Sequence, residues 1–438
     1  MESMKHLILA SLGTLALSCG VSAQSHTLHS FEKLQLTDRF WSEGATFGDF
    51  NKDGNQDAAS GPYWWEGPAF THRHTFYSDK RGWEKQHADG SAQIIQGYEG
   101  ALGTKNSYSE NFVAFSHDFN ADGWDDILVL GFPGKESSWY ENPQGKDHYW
   151  NKHDILDITD NESPTFLDLT GDGKPEIVCG SGGYYGYASP DWSQPEKPWK
   201  FHPITPKGPW QRFTHGLGVG DVNGDGRMDL MAKEGWWQQP ENLTGDPEWK
   251  FHPQLFSPGG GAQMYAYDVD GDGDNDVITS IAAHGYGLAW YEHIPTPEGI
   301  TFKAHIFVNK EPSENRYGVQ FSQLHAIDVA DMNGDGLKDI ITGKRFWAHG
   351  PNGDAEPNAA AVLYWFELKR TDAGVDFVPH LVDSDSGIGT QVMARDINDD
   401  GYPEIVVGNK KGTFVHRHLT QKVSRDEWLQ AQPKALFK

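Results

Sequence analysis

Cysteine is almost absent from this 438-residue sequence. Cys19 falls in an apolar N-terminal stretch and Cys179 in an apolar run read as a buried strand, so no internal disulfide is expected. Basic residues are scarce as well. Against 62 Asp and Glu stand 36 Lys and Arg, a formal net charge of −26 with no basic stripe, which excludes nucleic acid as an expected partner. Beyond the N-terminal stretch no apolar run is long enough to span a membrane. Nucleophile elbow, glycine-rich phosphate loop and HExxH pair are all missing, which argues against serine hydrolase, nucleotide and zincin chemistry.

Apolar content is only 37%, with 50 glycines, a composition of short strands and turns. Residues 1–23 read as an export signal: Lys5, the apolar stretch Leu7–Leu17, then Val21-Ser22-Ala23 before Gln24. Secretion or periplasmic export is expected, and Ala16-Leu17-Ser18-Cys19 offers a lipoprotein anchor at Cys19 as the alternative. Residues 24–438 then form one domain.

What the chain has is one frame in seven copies, Asp-x-(Asn/Asp/Thr)-x-Asp-Gly-x-x-(Asp/Glu). Its oxygen-bearing positions are Asp49, Asn51, Asp53 and Asp57; Asp118, Asn120, Asp122 and Asp126; Asp168, Thr170, Asp172 and Glu176; and Asp221, Asn223, Asp225 and Asp229. The later copies carry Asp268, Asp270, Asp272 and Asp276; Asp331, Asn333, Asp335 and Asp339; and Asp396, Asn398, Asp400 and Glu404. Hard oxygens at positions 1, 3, 5 and 9, with a glycine at 6 for the tight curl, suit Ca²⁺ better than Mg²⁺ or Zn²⁺. The frames hold 22 carboxylates, and seven such ions would reduce the net charge to −12. Short β-rich runs flank each frame, so the unit is strand, calcium hairpin, strand.

The frames start 69, 50, 53, 47, 63 and 65 residues apart, a repeat that predicts an all-β, seven-bladed β-propeller. A third strand follows most hairpins with an aromatic pair such as Trp64-Trp65-Glu66 or Trp290-Tyr291-Glu292. A fourth ends in a histidine (His74, His153, His202, His252, His305, His380), read as repeat architecture and not as ligands. The last blade lacks a fourth strand, and the N-terminal segment Ser25–Phe31 is expected to supply it and close the ring.

In this topology the inner-strand starts ring the channel mouth opposite the calcium hairpins. Five to seven residues before each frame stand Glu43, Asn111, Glu162, His215, Gln263, His325 and Gln391. Exits of the second strands add Lys233, His284, Lys344 and Arg345, with His349 beyond; Tyr63-Trp64 and Tyr184–Tyr187 add aromatics. Polar groups convergent with rings suit a sugar, and solvated channel mouths are the plain alternative. The insertion Arg81–Glu110 is long enough for a lid.

The frames resemble the FG-GAP/VCBS repeats, calcium-bearing propellers found also in integrin α-subunits. Gly61-Pro62-Tyr63-Trp64-Trp65-Glu66-Gly67-Pro68 is similar to the propeller domains of aldos-2-ulose (1,5-anhydrofructose) dehydratases, and propeller polysaccharide lyases are a looser likeness. Cupin domains follow the propeller in those dehydratases; this sequence reaches Lys438 without one, so a cupin-type isomerase step is not expected. The resemblance implies a carbohydrate lyase acting next to a carbonyl on a keto-sugar or uronic acid. A base (Tyr184, His215 or His325) would take the α-proton, and Lys233, Arg345 or a Zn²⁺ or Mg²⁺ ion held by His215, His325 and Glu162 would stabilise the enolate. Glu43, Asn111, Gln263, His284, Lys344, Gln391, Tyr63 and Trp64 would bind substrate. A non-catalytic module binding a glycan or a protein is the other class the rim supports.

Overall fold

The computed structural model describes residues 25–78, 83–86, 89–95 and 108–437. The expected signal, with Cys19, and most of the Arg81–Glu110 insertion lie outside the described residues. Two units are distinguished. The larger comprises residues 29–419 and 433–438, the smaller the flanking residues up to Leu28 and Thr420–Gln432.

Short antiparallel strands in groups of four build the larger unit. Thr46–Gly48, Asp57–Ser60, Tyr63–Trp65 and Arg73–Thr75 pair in chain order. The next two groups share the 17-residue strand Asn151–Leu167, which pairs first with Lys135–Glu141 and then with Glu176–Ser181. The following two meet through a parallel contact of inner strands, Leu217–Gly220 beside Gln263–Tyr267. A side chain at Gly218 would place its Cβ 1.9 Å from the Met264 carbonyl oxygen, so only glycine allows this approach. Ile327–Ala330 opens the next group; in the last, residues 29–37 take the edge beside the strand Gly412–Val423. This pairing fits a β-propeller.

One sequence phrase organises most groups. In Trp139-Tyr140-Glu141-Asn142 the tryptophan packs against His153, ring centroids 4.4 Å apart and tilted by 33°, and the glutamate takes its Nε2 at 3.0 Å. The Asn142 amide then donates to Asp126, position 9 of the hairpin, at 2.7 Å. The other Asp126 oxygen accepts the Phe119 amide at 3.0 Å. The same clamp recurs at Asp57, Asp229, Asp276 and Asp339, and the Trp–His stack at Trp64, Trp236, Trp290 and Trp365. Position 9 therefore ties the hairpin to the third strand. Between groups the core is apolar: Val178, Tyr185 and Tyr187 pack with Leu217, Leu230 and Trp237.

In the smaller unit, His26 stacks on Trp428 of the helix Arg425–Ala431, with ring centroids 5.1 Å apart. Ser424 and Glu427 close a capping box at its start.

In the last sheet His416 is fully buried, both ring nitrogens without a hydrogen-bond partner among the described residues, and burial pushes it down to about 4. A histidine neutral in the fold and protonated in the unfolded chain removes stability as pH falls from 6.5 towards 4. His416→Phe should therefore flatten the acid limb of the stability curve by up to about 3 kcal/mol. Urea unfolding of parent and variant at pH 4.5 and 7 measures this, and an unchanged difference would contradict it.

Candidate functional site

Inner-strand starts and second-strand exits meet around one buried guanidinium. Arg345 follows the strand Asp339–Gly343 and is 2% exposed. Its Nε donates to Glu43 Oε2 at 3.1 Å and its Nη1 to Glu162 Oε2 at 3.0 Å. Burial opposes the charge, but the two carboxylates outweigh it and hold Arg345 above its ordinary value. A buried ion triplet of this kind is strongly destabilised by loss of its central partner.

Glu162 leads to the histidines. Its Oε2 lies 3.5 Å from His215 Nε2. His215, His284 and His325 each offer a ring nitrogen within 4.8 Å of the others, with centroids 4.6 to 5.6 Å apart. His215 Nδ1 meets the Phe213 carbonyl at 2.8 Å and His325 Nδ1 the Gln323 carbonyl at 3.2 Å, in both cases two residues back. Each Nδ1 thus carries the proton and each Nε2 keeps its lone pair. His215 Nε2 and His325 Nε2 are buried without a hydrogen-bond partner among the described residues, whereas His284 Nδ1 faces Asp354 Oδ1 at 3.3 Å. Burial holds His215 below its ordinary value against the pull of Glu162; burial, then Arg345, hold His325 well below. Three imidazole nitrogens within 4.8 Å of one another fit Zn²⁺ and do not fit Mg²⁺, which takes oxygen.

Several residues here carry no repeat signal and were missed by sequence reasoning. Asp354, 10% exposed, has both oxygens 2.9 Å from His349 Nδ1 and Oδ1 3.3 Å from His284 Nδ1. Lys410 donates to the Trp347 carbonyl at 2.7 Å, and burial brings it down to about 8 despite Glu43. Tyr108, its ring 5.2 Å from the Lys410 ammonium, is pushed up to about 12 by burial. Lys410 follows the second strand of the last sheet, Glu404–Asn409, as Lys344-Arg345 follow that of the sheet before it, the one signal that could have found it.

Other predicted residues are placed differently. Gln391 Oε1 accepts the Ala45 and Ala114 amides at 3.2 and 3.0 Å, and Gln263 bridges the Ile327 amide and the Thr390 carbonyl. Both hold neighbouring inner strands together instead of lining a rim. Tyr63 and Trp64 are buried, the first under Arg73 and the second stacked on His74, so neither presents a face to a ligand. Tyr184 sits by Lys207 in a separate cavity with Tyr185 and Trp210. Lys233 marks a turn whose carbonyl receives Phe256, and Lys344 donates to Ser322 Oγ at 2.8 Å. The Asn111 carbonyl receives the Glu43 amide, while its buried side-chain amide has no partner among the described residues. Among the hairpins, Asp168, Asp172 and Glu176, and Asp268, Asp270 and Asp276, bring three carboxylates within 4.8 Å.

Arg345→Met should cost about 3–5 kcal/mol of stability, because Glu43 and Glu162 would be left buried and unpaired. Chemical denaturation at neutral pH measures it, and a loss below about 1 kcal/mol would show that water already compensates these charges.

An FG-GAP-like repeat model matches residues 118–179. The integrin alpha-PS2 of Drosophila melanogaster is 24% identical over 216 residues, 43% of this chain and 16% of the integrin, so the chain spans about a sixth of that relative's length. Among solved structures, an Agrocybe aegerita lectin that recognises non-reducing terminal N-acetylglucosamine aligns at 14% identity over 77% of this chain and 86% of the lectin, with a TM-score of 0.42. The Vibrio cholerae biofilm matrix protein Bap1 aligns at 14% identity over 71% of this chain and 80% of its own, with a TM-score of 0.29. The described residues contain no helix long and apolar enough to cross a membrane. The repeat match and the integrin stretch support an FG-GAP-type β-propeller.

Proposed function

We propose that this protein is an exported, zinc-dependent carbohydrate lyase. It would eliminate water or a glycosidic oxygen next to the carbonyl of a keto-sugar or uronic acid, on a seven-bladed propeller whose hairpins hold up to seven structural Ca²⁺ ions. The observation that carries the reading is the group of ring nitrogens from His215, His284 and His325 within 4.8 Å of one another, with His215 Nε2 and His325 Nε2 buried and free of hydrogen bonds among the described residues. Zinc bound there supplies a Lewis acid that polarises a carbonyl and acidifies the neighbouring C–H.

The chain's own groups divide the rest. Arg345 is enclosed by Glu43 and Glu162, so it positions those carboxylates and does not reach substrate. With Nδ1 bonded to backbone carbonyls and Nε2 left for a metal, His215 and His325 serve as ligands and not as the base. His349 is 47% exposed, its Nδ1 is engaged by Asp354, and its Nε2 is left to take the α-proton or return it to the leaving oxygen. Tyr184 lies outside this cluster and has no part in the step.

A second reading, a non-catalytic module binding a glycan or a protein, is favoured by the likeness to integrin alpha-PS2. Absorbance separates the two. The protein, supplied with Ca²⁺ and Zn²⁺, is offered 1,5-anhydrofructose and then uronic-acid polysaccharides, and formation of a conjugated enone is followed in the ultraviolet. The lyase reading expects a rise that falls at least about 100-fold in a folded His325→Ala variant. No rise on either substrate class would favour the binding module. Calcium chelation should separately lower the thermal midpoint by several degrees, reversibly.

A further inference from the structure

A cavity of about 810 Å³ adjoins the histidine cluster, a volume in the range of ligand pockets. Tyr108, Phe132 and Tyr149 give it rings, and Lys135, Lys152 and Arg212 give it cations. Two residues join it to the cluster. The Tyr108 ring stands edge-on to His349, with centroids 6.3 Å apart. Phe213 carries the Arg212 guanidinium 4.6 Å from its ring centroid, and its carbonyl is the one that orients His215. This turn is fixed, because the Asn161 and Glu162 amides donate to the Arg212 and Thr214 carbonyls at 2.9 and 3.0 Å.

Charge is left over in this cavity. Lys152 is paired with Asp154 at 2.7 Å and faces Glu136 at 3.7 Å. Arg212 and Lys135 have no carboxylate in ion-pair range among the described residues, in a chain whose net charge is −26. Two carboxylates share the lining, Glu136 beside Lys152 and Glu110 near Tyr140, and Asp160 feels Arg212 from farther off while taking the Gly182 amide. Arg212 is held all the same. Its guanidinium lies over Phe132 and Phe213, 5.9 and 4.6 Å from their centroids, and its stem crosses Gly134, where a Cβ would come within 2.8 Å of it. An arginine placed by rings and not by carboxylates keeps its fork open for a carboxylate from outside. Tyr149 adds a platform: it is 57% exposed, and its ring has no aromatic partner among the described residues.

We propose that this cavity is a subsite for a uronate residue of an acidic polysaccharide. Arg212 and Lys135 take the carboxylate, and the Tyr149 ring receives the apolar face of the pyranose. The role of the subsite in catalysis rests on the lyase reading above: with His349 at the Tyr108 end, a chain held here runs on towards the base. Of the two substrate classes, this selects the uronic-acid polymer, since a free keto-sugar carries no charge for Arg212 and Lys135.

The full protein in Ca²⁺, without added Zn²⁺, is titrated by calorimetry with tetramers of galacturonate, mannuronate and guluronate, and with the same tetramers methyl-esterified. At least one acid tetramer should bind, its ester at least about 10-fold more weakly, and affinity for the acid should fall as salt is raised. Arg212→Gln should weaken binding about 10- to 100-fold. Lys135→Gln and Tyr149→Ala, both at exposed positions, should each weaken it several-fold with an unchanged thermal midpoint, which separates a lost contact from a lost fold. No binding of any acid tetramer, equal binding of acid and ester, or parent-like affinity in Arg212→Gln and Lys135→Gln together overturns the subsite. Enone formation from 1,5-anhydrofructose would then leave the lyase reading standing. Uronate binding here with no enone on either substrate class overturns that reading and leaves the subsite.

Discussion

The interaction on which the rim depends is the fork of Arg345 between Glu43 and Glu162. The two partners are 302 and 183 residues away in the chain, and with Arg345 the three residues belong to three different sheets. A guanidinium this buried is tolerable only because two carboxylates surround it, and the carboxylates are tolerable only because of the guanidinium. The consequence is positional. Glu162 is held beside His215, and the loop that follows Arg345 starts from a fixed point.

The scaffold leaves room for such specialisation by confining repetition to the outer and lower parts of each sheet. The phrase Trp-aromatic-Glu-x does three jobs in four residues: it stacks a histidine, hydrogen-bonds it, and fastens the position 9 carboxylate of the hairpin. Where the phrase changes, the arrangement adapts. Tyr187 stacks on His202, and Asp246 from a neighbouring connection takes that imidazole. Inner-strand starts are under no such common demand, and this is why they differ in kind from sheet to sheet.

This division also sets what could be read in advance. Strand pairing followed from a frame repeated in register, and the positions of His215, His325, Glu43 and Glu162 followed from their distance to that frame. His284 and Arg345 were legible as second-strand exits, although their partners were not. Asp354 was hidden because it lies in a long connection without a period, where backbone conformation and not spacing decides what faces inward; His349, in the same connection, was legible only as lying beyond Lys344-Arg345. Gln263 and Gln391 have the right spacing for a rim, but their amides satisfy backbone groups of adjacent strands, a choice that depends on a few tenths of an ångström. Position 9 was legible as a carboxylate and not as a clamp, since the amide it accepts comes from a strand about ten residues away or more.

The clustered ring nitrogens of His215, His284 and His325 are read as the ligands of a metal ion. Anomalous diffraction above and below the zinc absorption edge, on crystals grown with zinc, tests it directly. The account predicts a peak, present only above the edge, about 2.0–2.1 Å from a ring nitrogen of each histidine. Zinc peaks elsewhere with this position filled by water would contradict it, and would leave the channel mouth as a binding surface on a structural propeller.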